Sequence, residues 1–135
     1  MGAIDLKSNI GLARIATYAQ KNATVAVAGT EVAGFHGACF VLEVGAHTAD
    51  GITVTYQDSD DNSTWADIPA AKLDFSTGAS QDMALTADND NATYYIGYKG
   101  SKRYIGAKIT DAGSGDIILG IYVVKGYAKD IPQNS

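Results

Sequence analysis

One cysteine, two prolines, one tryptophan and two histidines are all that this 135-residue chain holds of the residues that most often staple, break or arm a small domain. Each scarcity excludes something. With Cys39 alone no intramolecular disulfide can form, so stability has to come from packing or assembly. His36 and His47 stand eleven residues apart with no cysteine or carboxylate at ligand spacing, which leaves zinc without a donor set. Apolar runs are all too short to span a bilayer. The ten Lys and Arg are scattered among fifteen Asp and Glu, for a net charge of −5. That balance lacks the basic stripe that grips a nucleic-acid backbone or an anionic membrane, so neither is an expected partner. The opening Met1-Gly2-Ala3-Ile4-Asp5-Leu6 has no basic segment leading into a long apolar one, and Leu6 stands where N-myristoylation needs Ser or Thr. The expectation is a chain made in a reducing cytoplasm.

What the chain does have is β-structure. Its length fits one domain with one core, and 46% hydrophobic residues argue against disorder. Fifteen glycines suit short strands and tight turns, and eight tyrosines supply aromatic rings that tolerate a half-wet setting. The last third is the clearest part. Tyr94–Tyr98, Tyr104–Thr110 and Asp116–Tyr127 are three β-type runs joined by Lys99–Lys102 and Asp111–Gly115, which are turn chemistry throughout. Ile105, Ala107 and Ile109 share one face of their run. Ile117, Leu119, Ile121 and Val123 share one face of theirs, yet Ile118, Tyr122 and Val124 make the opposite face apolar too. A strand apolar on both sides in a two-layer sandwich has a face left over for an arm, a loop or another subunit.

Upstream, Ala38–Val44 reads as a central strand, apolar on both faces. In Gly51–Gln57 the alternation places Ile52, Val54 and Tyr56 inward and Thr53, Thr55 and Gln57 outward. Thr64–Ile68 returns as a partner strand until Pro69 stops it. Leu73–Phe75 and Gln81–Leu85 are shorter pieces, and Asp88–Asn91 is a turn. Ile15–Gln20 and Ala23–Ala28 are further β candidates. Residues 1–14 are read as an N-terminal arm and 15–132 as the folded domain. The fold class is all-β: a single-domain, jelly-roll-like β-sandwich.

Candidate chemistry is thin. Cys39, between Ala38 and Phe40, reads as a buried thiol rather than a nucleophile. Asp58-Ser59-Asp60-Asp61-Asn62 starts like a calcium loop, but Ser63 replaces the required glycine and Pro69 the bidentate glutamate. Asn22, Asn62 and Asn91 open Asn-x-Ser/Thr sequons that mean little without a secretory signal. Trp65 with Tyr56, Tyr94, Tyr95 and Tyr98 could form a platform for sugar, or simply pack. The glycines of the last third precede no helix and make no phosphate cradle. No serine has His and Asp partners at a persuasive place. Catalytic, cofactor-binding and metal-binding residues are therefore all expected to be absent, and no enzyme is expected.

The hairpin Val54–Ile68 around Ser59-Asp60-Asp61-Asn62-Ser63-Thr64-Trp65, the stretch Gly97–Ile105 and the ending Val123–Lys129 together resemble a family of small virion proteins of tailed bacteriophages and prophages. The resemblance covers about residues 30–132. It implies a head decoration, or cement, protein on the outer capsid surface that reinforces capsomer junctions, made in the bacterial host cytoplasm. The implied partners are the major capsid protein and further copies of the chain, a trimer suiting three-fold sites better than a pentamer. A head spike or fibre base, a tail or connector component, and a carbohydrate-binding module are the rival expectations.

Overall fold

The computed structural model describes residues 10–128. Ten strands run in the order β1 (Ile10–Lys21), β2 (Val25–Glu31), β3 (Phe35–Ala49), β4 (Ile52–Ser59), β5 (Ala66–Asp67), β6 (Leu73–Phe75), β7 (Met83–Ala84), β8 (Thr93–Tyr98), β9 (Tyr104–Asp111) and β10 (Asp116–Ala128). They form two antiparallel sheets, β1-β10-β3-β8-β6 and β2-β9-β4-β5, with β7 on the outer edge of β4. The pairing is nested: β1 with β10, β2 with β9, β3 with β8, β4 with β5. A long hairpin rolled so that successive layers alternate between two sheets gives this order, which is the jelly roll. The all-β sandwich read from the sequence is thus the observed architecture.

The core lies between the sheets and follows the alternation. Phe40 and Leu42 of β3, Ile96 of β8 and Leu119, Ile121 and Val123 of β10 are fully buried from one side. Ile52, Val54 and Tyr56 of β4 with Ile105 and Ile109 of β9 meet them from the other, and Phe40 and Tyr56 touch across the gap with ring centroids 4.8 Å apart.

One expectation needs correction and another an addition. The boundary drawn at residue 14 falls inside a strand, because Ile10–Arg14 pairs with Tyr122–Gly126 of β10. Leu12 and Arg14 leave that segment with no inward apolar pattern strong enough to read, so the ladder hydrogen bonds set the boundary. Residues 1–9 of the expected arm lie outside the described residues. The second concerns β4, where Thr55 and Gln57 face outward as read but are covered there by distant chain. The Thr55 hydroxyl donates to Asp82 (2.7 Å) and the Gln57 amide to Asp67 (2.7 Å). Beside them, Gln81 acts as a one-residue strand: its Oε1 accepts from Tyr56 N (2.8 Å) while its Nε2 donates to Tyr56 O (2.8 Å) and Ile68 O (2.8 Å). It fills the gap between β5 and β7 along the β4 edge and satisfies backbone groups that would otherwise be orphaned.

Candidate interaction surfaces

The two outer faces of the sandwich differ in kind. Over the β2-β9-β4 sheet the outward residues are largely polar (Thr53, Thr55, Gln57, Lys108 and Thr110), and Trp65 lies across Gly29, leaving no room there for a Cβ. Over the β1-β10-β3-β8 sheet they are apolar. The register sets Leu12 beside Val124 and Cys39, and Tyr122 beside Val41 and Tyr95. Of the four large apolar side chains that are exposed among the described residues, Leu12 (70%), Tyr95 (55%) and Tyr18 (44%) all belong to this sheet and lie on its outer face. Tyr18 crosses β10 at Gly120, where a Cβ would stand 2.9 Å from the Tyr18 Cα, and its hydroxyl reaches Gly45 of β3. A tyrosine laid over two glycines makes the surface flat. Arg14, Glu43 and, at the β6 edge, Asp74 are charges on this face, all exposed and none in an ion pair among the described residues. This is the spare apolar face that the Ile117–Val124 pattern predicts.

A second feature is a cleft of about 540 Å³ at one end of the sandwich. It lies where the β2–β3 turn, the β8–β9 turn and the β4–β5 loop converge. Val32, Phe35, Ala38 and Tyr98 form its apolar part, and His36, Lys102, Arg103 and Asp60 its polar rim. The Tyr98 hydroxyl donates to Asp58 (2.9 Å) and accepts from Lys102 N (3.0 Å), which ties the end of β4 and the β8–β9 turn to β8 in the opposite sheet. Burial is the main cause of a Tyr98 phenol pKa raised above its ordinary value, and the acceptor Asp58 adds to it.

The sequence candidates are dispersed by the fold. His36 and His47 sit near opposite ends of β3; His47 Nε2 lies 2.6 Å from Asp50, and His36 lines the cleft. Cys39 faces outward, half-buried, with its thiol donating to Phe40 O at 3.3 Å; burial pushes its pKa up and so away from the nucleophilic thiolate. The carboxylates of Asp58–Asn62 diverge. Asp58 accepts from Tyr98, Asp60 from Lys102 (2.8 Å), and Asp61 caps its own turn from Ser63 N (2.9 Å), Thr64 N (2.8 Å) and the Ser59 hydroxyl (2.9 Å). That is an Asx-turn built for the backbone, and no group of three potential ligand residues occurs among the described residues. The aromatic set is split likewise: Tyr56 and Tyr94 are buried, Tyr98 lines the cleft, Tyr95 and Trp65 lie on different sheets' outer sides. All three sequon asparagines are exposed.

The Asp61 turn makes a prediction. Hydrogen bonds from Thr64 N, Ser63 N and the Ser59 hydroxyl hold its carboxyl pKa below the ordinary carboxylate range. A lowered folded-state value means stability present at neutral pH and lost as the pH falls through it. Asp61→Asn should therefore melt below wild type at pH 7, the gap closing in acid, and chelator should change neither curve; a chelator-dependent Tm would return a metal to the loop.

Compared with protein-family models, curated proteins and solved structures, the chain matches none.

Proposed function

We propose that this chain is a non-enzymatic virion structural protein, a head decoration protein that binds the outside of a tailed-phage capsid through the outer face of its β1-β10-β3-β8 sheet. The observation that carries the reading is that face: flat, apolar and tyrosine-bearing, on a molecule whose other outer face is polar. At a strand spacing of about 4.8 Å and a rise of about 3.4 Å per residue, it spans roughly 800–1,000 Å², the share one partner contributes to a stable protein interface. Tyrosines at the centre of such a patch are the side chains that most often carry interface energy. The resemblance of the Val54–Ile68 hairpin and the last third to small phage virion proteins supplies the partner, the major capsid protein, and the expectation of a homo-oligomer. Many copies on one lattice turn modest contacts into durable attachment by avidity.

Electron cryo-microscopy of particles from the source phage tests this directly. Density for the chain across the outer lattice supports decoration; density confined to vertices or tail moves the reading to a spike or tail component. Purified chain should also bind heads lacking it, and Tyr95→Lys should weaken that binding about tenfold or more while changing stability by no more than about 0.5 kcal/mol. Unchanged binding by Tyr95→Lys and Leu12→Asp would remove this face from the reading.

A further inference from the structure

The cleft is not used by the proposed decoration contact, and its chemistry is specific. Its floor is apolar and its rim carries charges of both signs. Arg103 is held in place from two sides: its Nε donates to Glu31, and its guanidinium lies over the Tyr104 ring, 5.5 Å from the centroid. The terminal nitrogens make no hydrogen bond with any described residue, so a pre-positioned fork remains for a carboxylate. Lys102 pairs with Asp60 only at the exposed surface, a contact that exchanges readily for another anion. Lys125 lies over the Phe35 ring at 5.3 Å, adding a third cation near the apolar floor. Beyond Ala38, paired with Tyr98, β3 has no ladder partner on the β8 side among the described residues, so Phe35–Gly37 offers a strand edge at the cleft.

A strand edge above an apolar floor, with a charged rim, fits an extended segment that alternates apolar and charged side chains. The chain carries one: Ala3-Ile4-Asp5-Leu6-Lys7. We propose that the cleft takes residues 1–9 of a second copy of this chain, with Ile4 and Leu6 on the floor, Asp5 on Arg103, and Lys7 towards Asp60. The place where β1 begins supports this. Ile10 pairs with Gly126, and Gly126 pairs with Gly37 beside the cleft, so β1 begins at the cleft end of the sandwich. Asp5 can lie up to about 17 Å from Ile10 at full extension. Two strand spacings of about 4.8 Å separate β1 from β3, so reach is sufficient. Direction favours a neighbour's cleft over the chain's own. β10 lies between β1 and β3 and ends at this same end, so a path into the chain's own cleft would have to pass over the end of β10. A segment-in-cleft contact is head-to-tail, and it closes into a ring when the rotation permits.

Light scattering on the full chain at about 100 µM decides it by mass action. The expected result is a mass that is a whole multiple, above one, of 14.1 kDa. Ile4→Asp with Leu6→Asp, and separately Arg103→Asp, should raise the dissociation constant about tenfold or more, with melting close to wild type. Asp5→Arg combined with Arg103→Asp should recover part of the loss, which mere damage to the cleft would not allow. A monomeric full chain, or an oligomer indifferent to all these changes, would overturn the proposal. Head binding by the monomeric variants is read separately, so failure here leaves the decoration reading standing or falling on its own test.

Discussion

Phe40→Ala is expected to cost about 3–5 kcal/mol and to lower the melting temperature by roughly 10–20 °C. Phe40 is fully buried in the middle of β3, which has β10 on one side and β8 on the other. Its strand neighbours Val123 and Ile96 are fully buried as well, and the Tyr56 ring meets it from the other sheet. Removing the ring therefore opens a cavity walled by two strands of one sheet and one of the other. None of these can close in without breaking register, so collapse will recover little of the loss. Against the 5–15 kcal/mol that holds a typical domain together, this is a large fraction. The companion measurement is Tyr95→Ala, on the adjacent strand β8 and next to Phe40's partner Ile96 but on the outer face. That change should stay within about 0.5 kcal/mol. Equal losses for the two would mean that the outer face is covered in the isolated molecule, which would contradict its role as a docking surface.

In the last two strands the inward and outward faces were legible before the fold was known, because period-two alternation assigns each side chain of a run to a face, whereas Ala38–Val44, apolar on both faces, assigned none to Phe40. Alternation placed Ile105, Ala107 and Ile109 correctly, and Ile117 to Val123 as well, and it flagged Ile118, Tyr122 and Val124 as a face without a partner. What alternation cannot carry is anything that depends on distant chain. Thr55 and Gln57 look solvated in sequence and are buried because Asp82 and Asp67 come from elsewhere to receive them. Nothing local marks Gln81 as a substitute for a strand residue, or Gly29 as the seat of Trp65, thirty-six positions later. The same holds for the cleft. Val32, Tyr98 and Arg103 meet only because the nested strand order brings the β2–β3 and β8–β9 turns to one end. Residues 10–14 show the complementary failure, in which an edge strand with a glycine and an arginine has too little pattern to announce itself.

Tyr56→Phe is expected to stabilise the protein by about 1–2 kcal/mol, the reverse of what truncating a core residue does. The Tyr56 side chain is fully buried, and its hydroxyl meets no hydrogen-bond partner among the described residues. Its backbone groups are fully engaged by Gln81 and Ile68 N, so the unmet demand is confined to the phenol. A buried hydroxyl left without a partner costs about 1–3 kcal/mol, and phenylalanine removes that cost while keeping the ring against Phe40. A loss of stability would instead mean that a buried water serves the hydroxyl. The same burial predicts a pH effect. Burial raises the Tyr56 pKa above the ordinary value of 10.0. Between about pH 10 and the folded-state value, the unfolded chain holds fewer protons than the folded one. Stability is therefore unaffected by this group at lower pH and falls above it, by up to about 1.4 kcal/mol per pH unit. Tyr56→Phe should flatten that alkaline limb without abolishing it, because Tyr98, its pKa also raised, remains in the cleft. Urea melts at pH 8, 10 and 11 of both proteins measure the offset and the slope together. If the two curves stay parallel through pH 11, the buried phenol is not what the alkaline transition titrates.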